Sequence, residues 1–328
     1  MEEQKQIRRV CDSDSAYVRK ARTLQDNYRE AHAKIEGGWE AGKGPSAGSE
    51  TCYGNMLLDG EKTGHNFLCK ETFAYAKQRV DYVDGGKLKS LKRRSQTIEP
   101  YRLFCNMLSS QPMAFNLFHP LMRMLDDVYA KPILVRAFCQ AFPALDIADV
   151  YSIDLEYLPV NYENYLGDKT AMDAVIRYTD VAGNRFFIAV EIKYTDRLGT
   201  NEASRSEVVA KAKALSHTLA QFAVEPEKYS QLYRNYLLAE AVRVRGDEEG
   251  PYKDCYTWIL APKTHPSTKR ELRHLIEHLK EEYQYKVRAL AGICLEDFVE
   301  VLIHTEGMPK EYLCVFEEFR RRYLEGLC

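Results

Sequence analysis

The stretch FFIAVEIKYT at residues 186–195 decides how this sequence folds, because it is an almost unbroken apolar run that carries two charges, Glu191 and Lys193. A short run of this kind predicts a buried β-strand. Side chains two positions apart on a strand project from the same face, so we expect Glu191 and Lys193 to lie side by side. Because charges are costly to bury, the two residues form either a local ion pair or part of a reaction centre.

A second strand is predicted just before this one. The segment DAVIRYT at 173–179 is separated from the apolar run by DVAGNR, in which Gly183 and Asn184 favour a turn. An antiparallel hairpin with its turn centred near residue 183 would place Asp173 opposite Lys193, within about one residue of slip, and next to Glu191. The hairpin therefore predicts three charged groups on one face.

Two neighbouring carboxylates repel each other unless a cation lies between them, and Mg²⁺ prefers oxygen ligands of this type. The backbone carbonyl of Ile192 could add a further ligand. Lys193 could orient a water nucleophile and stabilise negative charge on a phosphate. The pattern predicts metal-dependent hydrolysis of a phosphodiester. The alternative is an ordinary solvated strand face, since Glu-x-Lys is short and recurs at residues 3–5.

The remaining pattern predicts a mixed α/β fold with helices packed around a central sheet. Residues 36–64 are rich in Gly, Ser and Lys and predict a loop or a weakly ordered segment. Further strands are predicted at 150–158, 255–262 and 288–294. Helices are predicted at 15–35, 67–82, 97–119, 121–141, 203–222, 227–243, 267–285, 295–303 and 309–325.

Composition limits the functional classes. The chain has 328 residues, is 45% hydrophobic and carries a formal net charge of −2, so binding to nucleic acid would need a local basic surface. One candidate is DGGKLKSLKRRS, residues 84–95, with Lys87, Lys89, Lys92, Arg93 and Arg94. A solvated loop is the plainer interpretation of that segment, and a phosphate-contacting patch is the sharper one.

Cysteine usage and terminal composition point to the cytoplasm. Nine cysteines occur without a CxxC pair, which favours reduced thiols over a disulfide framework or a zinc ribbon. No HExxH motif is present, no apolar run approaches the length of a membrane span, and the first residues lack a secretory signal pattern.

Four blocks of the sequence resemble a bacterial group of restriction-endonuclease-like proteins within the PD-(D/E)XK nuclease superfamily. They are SSQPMAFNLFHPL (109–121), YLGDKTAMDAVIRY (165–178), FFIAVEIKYTD (186–196) and QLYRNYLLAEAV (231–242). The proline of the nominal motif is absent, and Met172 precedes Asp173. The resemblance implies a restriction-endonuclease-like core with a central mixed sheet flanked by helices, dependence on Mg²⁺ (or Mn²⁺) and cleavage of DNA.

The resemblance also implies roles for individual residues. Asp173 and Glu191 would be metal ligands and Lys193 the catalytic lysine. Glu156 would be an additional ligand, and Asp154, two residues earlier on the same strand face, is its rival.

Accessory positions follow from the same resemblance. Gln111 and Asn116 would lie beside the active site, although helix capping and satisfied core amides explain them equally well. Gln231 and Arg234 share one face of a predicted helix, where Arg234 could contact a phosphate or simply face solvent.

We therefore predict a nuclease core at 96–305, an N-terminal helical and loop extension at 1–95 and a C-terminal helix at 306–328. The expected function is a cytoplasmic, restriction-type DNA endonuclease of bacterial defence, acting as a homodimer because both strands must be cut. A repair or recombination nuclease for branched or single-stranded DNA is an alternative. A catalytically silent nucleic-acid-binding or scaffold protein is another, which the intact Asp173, Glu191 and Lys193 argue against.

Overall fold

The computed structural model describes residues 7–44, 50–84, 97–167, 169–196, 198, 203–204, 216–224 and 226–327. The strands are β1 (Ile7–Arg8), β2 (Ala41–Lys43), β3 (Cys52–Leu57), β4 (Asp149–Tyr157), β5 (Met172–Thr179), β6 (Arg185–Ile192), β7 (Ala203–Ser204), β8 (Lys228–Tyr229) and β9 (Asp254–Leu260). The helices are α1 (Ala16–Glu36), α2 (Gly60–Thr63), α3 (Lys70–Asp84), α4 (Pro100–Cys105), α5 (Ser110–Asp126), α6 (Lys131–Ala141), α7 (Ser216–Leu219), α8 (Gln231–Arg245), α9 (Thr268–His278), α10 (Tyr285–Arg288), α11 (Leu295–His304) and α12 (Lys310–Tyr323). Within the described ranges, no helix is both long enough and apolar enough to span a membrane.

The central sheet has the strand order β4-β5-β6-β9. The pairs β4–β5 and β5–β6 are antiparallel, and β6–β9 is parallel. This mixed sheet with helices on both faces confirms the predicted fold class.

Alternation along most of each strand builds two cores, one on each face of the sheet. Ile176, Val190 and Trp258 pack into the core that includes residues of α5, α6, α11 and α12. Their neighbours Val175 and Ala189 belong to the opposite core, which includes residues of α8 and α9. By the same alternation, Asp173 and Glu191 both belong to the face that α8 covers.

The hairpin register differs from the predicted one. The β5–β6 ladder runs from Ala174 paired with Val190 to Thr179 paired with Arg185, so its continuation sets Asp173 opposite Glu191 rather than Lys193. The turn is centred on residue 182, because the Asp180 N–H donates to the Asn184 carbonyl at 3.0 Å and the Asp180 carboxylate caps the loop.

A second mixed sheet, with the order β1-β3-β2, occupies part of the segment predicted as a loop. That prediction was wrong because glycines in this segment lie where another part of the chain packs closely against the strand. A Cβ on Gly54 would lie 1.8 Å from the Asp26 carboxylate, and one on Gly42 would lie 2.7 Å from the Leu57 carbonyl oxygen.

Other boundaries also differ from the prediction. The stretch 97–141 forms α4, α5 and α6, and Pro120 lies inside α5 instead of ending a helix. Residues 288–294 form no strand. Arg288 ends α10, residues 289–292 form a turn, and the buried Val287 and Leu290 are three residues apart, which is the spacing of a helical face. The predicted helix at 203–222 falls largely outside the described residues.

The chain ends contribute to the larger of the two cores. Ala21 of α1, Met56 of β3 and Tyr323 of α12 belong to the same buried cluster as Phe115 and Val190. Arg322, fully buried, contacts the Asn66 carbonyl oxygen and Gln25 Oε1 at 2.9 and 3.1 Å. The boundaries at residues 95 and 306 stay a prediction.

Candidate active site

Three carboxylates lie in a row across adjacent strands of the central sheet. On β4, Glu156 falls between Leu155, which pairs with Ala174, and Tyr157, which pairs with Met172, so it lies beside Asp173. On the other side, Asp173 lies opposite Glu191 of β6. The row runs along the edge where β4 and β6 end and β5 begins.

The backbone of Glu156 has an unusual conformation. Its φ of 49° lies in the left-handed region, which non-glycine residues seldom adopt, and such strain is concentrated at functional sites. The side chain is only 5% exposed. Gln111 Nε2 donates to Glu156 Oε1 at 2.7 Å and to the Thr97 carbonyl at 3.2 Å, so Gln111 anchors this carboxylate.

The central carboxylate of the row, Asp173, is also held in place. The backbone N–H of Ile192 donates to Asp173 Oδ2 at 2.7 Å. Burial, reinforced by Glu191, raises the pKa of Asp173 well above its usual value, and burial also raises the pKa of Glu156. Each shift reflects the cost of gathering negative charge in a poorly solvated place, a cost that a bound cation removes.

Lys193 supplies the positive charge of the site. Its Nζ lies 2.5 Å from Glu191 Oε1 and donates to Gln231 Oε1 at 3.2 Å. Burial lowers the pKa of Lys193, but Glu191 and Asp173 outweigh it and raise that pKa above its usual value. The lysine is therefore charged at neutral pH.

Asn235 is a site residue that the sequence analysis missed. It is 2% exposed, and its side-chain amide donates to Glu191 Oε2. Gln231 and Asn235 are one helical turn apart on α8, so the helix faces the Glu191–Lys193 pair with two amides. The spacing of the two amides in QLYRN could have indicated this face.

A polar cavity of about 460 Å³ opens onto the site. Glu156, Asp173 and Lys193 form part of its wall. Its other charged lining residues are Arg102, Lys169, Asp196 and Arg234. Arg102 contacts Asp196 at 3.3 Å, and both side chains are about half exposed (47% and 42%). Acidic and basic side chains therefore line the same opening.

Several predicted site residues lie elsewhere. Asp154 contacts the buried Arg177 at 2.5 Å, and its side chain is 40% exposed, so the structure brings Glu156 rather than Asp154 to the row. The predicted position of Asn116 beside the active site is corrected, because Asn116 does not line the cavity. Its amide donates to the Asn66 carbonyl and the Tyr323 hydroxyl, and five residues along a helix turn it away from Gln111.

The structure does not test two further predictions. Lys92, Arg93 and Arg94, together with Lys87 and Lys89, lie outside the described residues. The carbonyl of Ile192 as a metal ligand stays a prediction.

A tighter group of potential ligands lies away from this site. Glu240, Asp254 and Cys255 have ligand atoms within 4.8 Å of one another, the only such group found in the described part of the chain. Lys286 Nζ lies 2.8 Å from Glu240 Oε1, and the Cys255 thiol donates to the same oxygen at 3.0 Å. Because Lys286 and Arg243 each contact both Glu240 and Asp254, two cations balance two acids and the cluster is an ion-pair network.

Comparison with known families agrees with the geometry. The family model of the PD-(D/E)XK nuclease superfamily matches residues 12–325, nearly the whole chain. The chain belongs to this superfamily. No curated protein and no solved structure matches it significantly. Membership indicates a metal-dependent nuclease, since these enzymes generally use divalent metals.

The residues at the site fit a divalent metal. Glu156, Asp173 and Glu191 offer only oxygen donors, the set that hard cations prefer. Glu191 Oε1 is buried and has no hydrogen-bond donor of proper geometry among the described residues. The raised pKa values of Glu156 and Asp173 point the same way, because a divalent cation would offset the cost of ionising both carboxyl groups in this buried place.

Proposed function

We propose that this protein is a Mg²⁺-dependent endonuclease that hydrolyses phosphodiester bonds of DNA, with Mn²⁺ able to replace Mg²⁺. The observation that carries the proposal is the row of Glu156, Asp173 and Glu191 with the Lys193 ammonium at one end of it. The three carboxylates would hold the metal. When bound, the metal would lower the pKa of a water and polarise the phosphate.

The chain's own residues would do the rest of the chemistry. Lys193 would orient the nucleophilic water and stabilise the negative charge that grows on the phosphate oxygens. Gln111 and Gln231 would hold Glu156 and Lys193 in place through the hydrogen bonds they already make.

Substrate binding would depend on cations at the cavity mouth. Arg102, Lys169 and Arg234 line the opening and would contact phosphates on either side of the reacting one. The basic segment containing Lys92, Arg93 and Arg94 would extend this contact along the DNA backbone. A restriction-type role, with a homodimer cutting both strands, would fit the resemblance to bacterial restriction-endonuclease-like proteins.

A reducing compartment such as the cytoplasm would suit the chain. All of the cysteines that the structure describes, from Cys11 to Cys314, are free thiols.

The test is incubation of the purified protein with supercoiled plasmid, linear duplex and single-stranded DNA, in Mg²⁺, Mn²⁺ or EDTA. We expect duplex DNA to be cut only when the metal is present, into discrete fragments. Preference for branched or single-stranded substrates would instead favour the repair or recombination alternative. DNA binding without cleavage of any form would contradict the proposal and favour a catalytically silent protein.

A further inference from the structure

The two oxygens of Glu191 have different partners. The carboxylate is 1% exposed, so neither oxygen is solvated by bulk water. Oε2 accepts a hydrogen bond from Asn235 Nδ2, whereas Oε1 faces Lys193 Nζ at 2.5 Å without forming a well-aligned hydrogen bond. One oxygen is therefore held by a neutral amide, whereas the other faces the charged ammonium of a long side chain.

Lys193 keeps a second partner on the other side. Its ammonium donates to Gln231 Oε1 at 3.2 Å. An ammonium has three donors, so it can lose the contact with Glu191 and still be hydrogen-bonded.

The two amide side chains of helix α8 match the charges of the groups that they contact. Gln231 presents its carbonyl oxygen to the cation, and one turn later Asn235 presents its NH₂ group to the anion. Asn235 Oδ1 is buried and has no hydrogen-bond partner among the described residues, so the amide orientation is set by Glu191. A flipped amide would bring its oxygen against the carboxylate.

We propose that Asn235 is a positioning residue that fixes Oε2 of Glu191, and that Oε1 is the point at which the Lys193 ammonium gives way to a divalent cation. The inference rests on the proposed function and deepens it. The ammonium then stays on Gln231, close to the reacting phosphate. In this arrangement the lysine has two duties: it is a counter-ion before the metal binds and a catalytic group afterwards.

The charges of the site favour replacement of the Lys193 ammonium by a divalent cation at Glu191 Oε1. When Glu156, Asp173 and Glu191 are all ionised, as metal binding requires, they carry more negative charge than one ammonium can neutralise, and both Glu156 and Glu191 are at least nine-tenths buried. A divalent cation compensates more of it, but it must first displace the ammonium from Oε1. Removal of the lysine charge should therefore strengthen metal binding, whereas removal of Asn235 should weaken it.

The experiment is calorimetric titration of the full-length, metal-free protein with Mn²⁺. Lys193→Met should bind Mn²⁺ about tenfold more tightly than the wild type, the scale of one charged hydrogen bond. Lys169→Met is the matched control, because it removes one positive charge from the exposed wall of the same cavity, and it should change the affinity about twofold or less. Asn235→Leu has a side chain of similar size without the hydrogen-bond donor, and it should bind Mn²⁺ at least about tenfold more weakly than the wild type.

Circular dichroism of each metal-free variant checks folding, and Lys193→Gln replaces Lys193→Met if the latter does not fold. Unchanged or weaker binding by the folded Lys193 variant would overturn the exchange, as would an equal gain in Lys169→Met. Wild-type affinity in Asn235→Leu would overturn the positioning role. If the wild type binds Mn²⁺ and cuts DNA but these variants behave otherwise, only this inference fails. If the wild type does neither, the proposed function fails as well.

Discussion

At the scale of single residues, Glu156 and Asp154 have opposite environments although they are neighbours on β4. Glu156 contacts Gln111 and lines the cavity, whereas Asp154 pairs with Arg177. Glu156→Gln should weaken Mn²⁺ binding by more than about tenfold, because it removes a charged ligand. Calorimetric titration measures this directly.

Asp154→Asn is the matched control for that substitution. Arg177 keeps its contact with Asp247 at 3.0 Å, so we expect unchanged Mn²⁺ affinity and a loss of about 1 kcal/mol or less in the free energy of unfolding. An equal loss of metal binding in both variants would mean that Glu156 has no special place in the site.

Single residues also mark how far sequence reasoning reached. The proximity of Asp173, Glu191 and Lys193 was predictable, because alternation and a short turn fix the face of a hairpin within a narrow margin. The residue opposite Asp173 was not predictable, because moving the turn centre by one residue along the chain changes the residue opposite Asp173 by two positions. Asn235 was missed because its contact spans 44 residues of chain.

At the scale of elements, the contact between α3 and α5 carries a histidine that should make stability depend on pH. His119 Nδ1 lies 3.0 Å from the Thr72 hydroxyl, and its ring stacks on Tyr75. Burial lowers the pKa of His119 to about 4. In the unfolded chain the pKa is about 6.5, so the unfolded state binds the proton first.

The stabilisation from neutral His119 is therefore complete above about pH 6.5 and is lost as the pH falls towards 4. It amounts to at most about 3 kcal/mol. Urea unfolding of the wild type at pH 7 and pH 4.5 should show this loss, and His119→Gln should show a clearly smaller one. His304→Gln, at an exposed position, is the control and should retain the wild-type pH dependence. A pH dependence unaltered in His119→Gln would contradict the account.

The elements of the small sheet could not be predicted from local sequence. Gly42 and Gly54 occur in a segment with the composition of a loop, yet each is needed where another part of the chain approaches closely. The strands of the central sheet were predictable because their apolar runs are buried on both faces and short.

At the scale of the whole molecule, the N-terminal residues and the central sheet share one buried cluster, so we expect them to unfold together. The two tryptophans report on the two parts, Trp39 beside the small sheet and Trp258 on β9. In each single-tryptophan variant, Trp39→Phe or Trp258→Phe, the fluorescence and circular-dichroism transitions should coincide. A separate, earlier transition reported by Trp39 would show that the N-terminal extension is an independent unit.

The architecture of the whole molecule was predictable in class but not in detail. The order of helices and strands indicated a mixed sheet covered by helices, because each amphipathic face needs a partner. The burial of Arg322 against Gln25 and Asn66 joins residues nearly 300 positions apart, and nothing in the local pattern indicates such a contact.

The central claim is that Lys193 acts in metal-dependent cleavage of DNA, and the rate of plasmid cleavage in Mg²⁺ tests it most directly. Lys193→Ala should cut at least about a hundredfold more slowly than the wild type while still binding DNA. Lys169→Ala, which removes a lysine from the wall of the same cavity, should cut within about tenfold of the wild type. Cleavage by Lys193→Ala at the wild-type rate, or wild-type cleavage that persists in EDTA, would contradict the account.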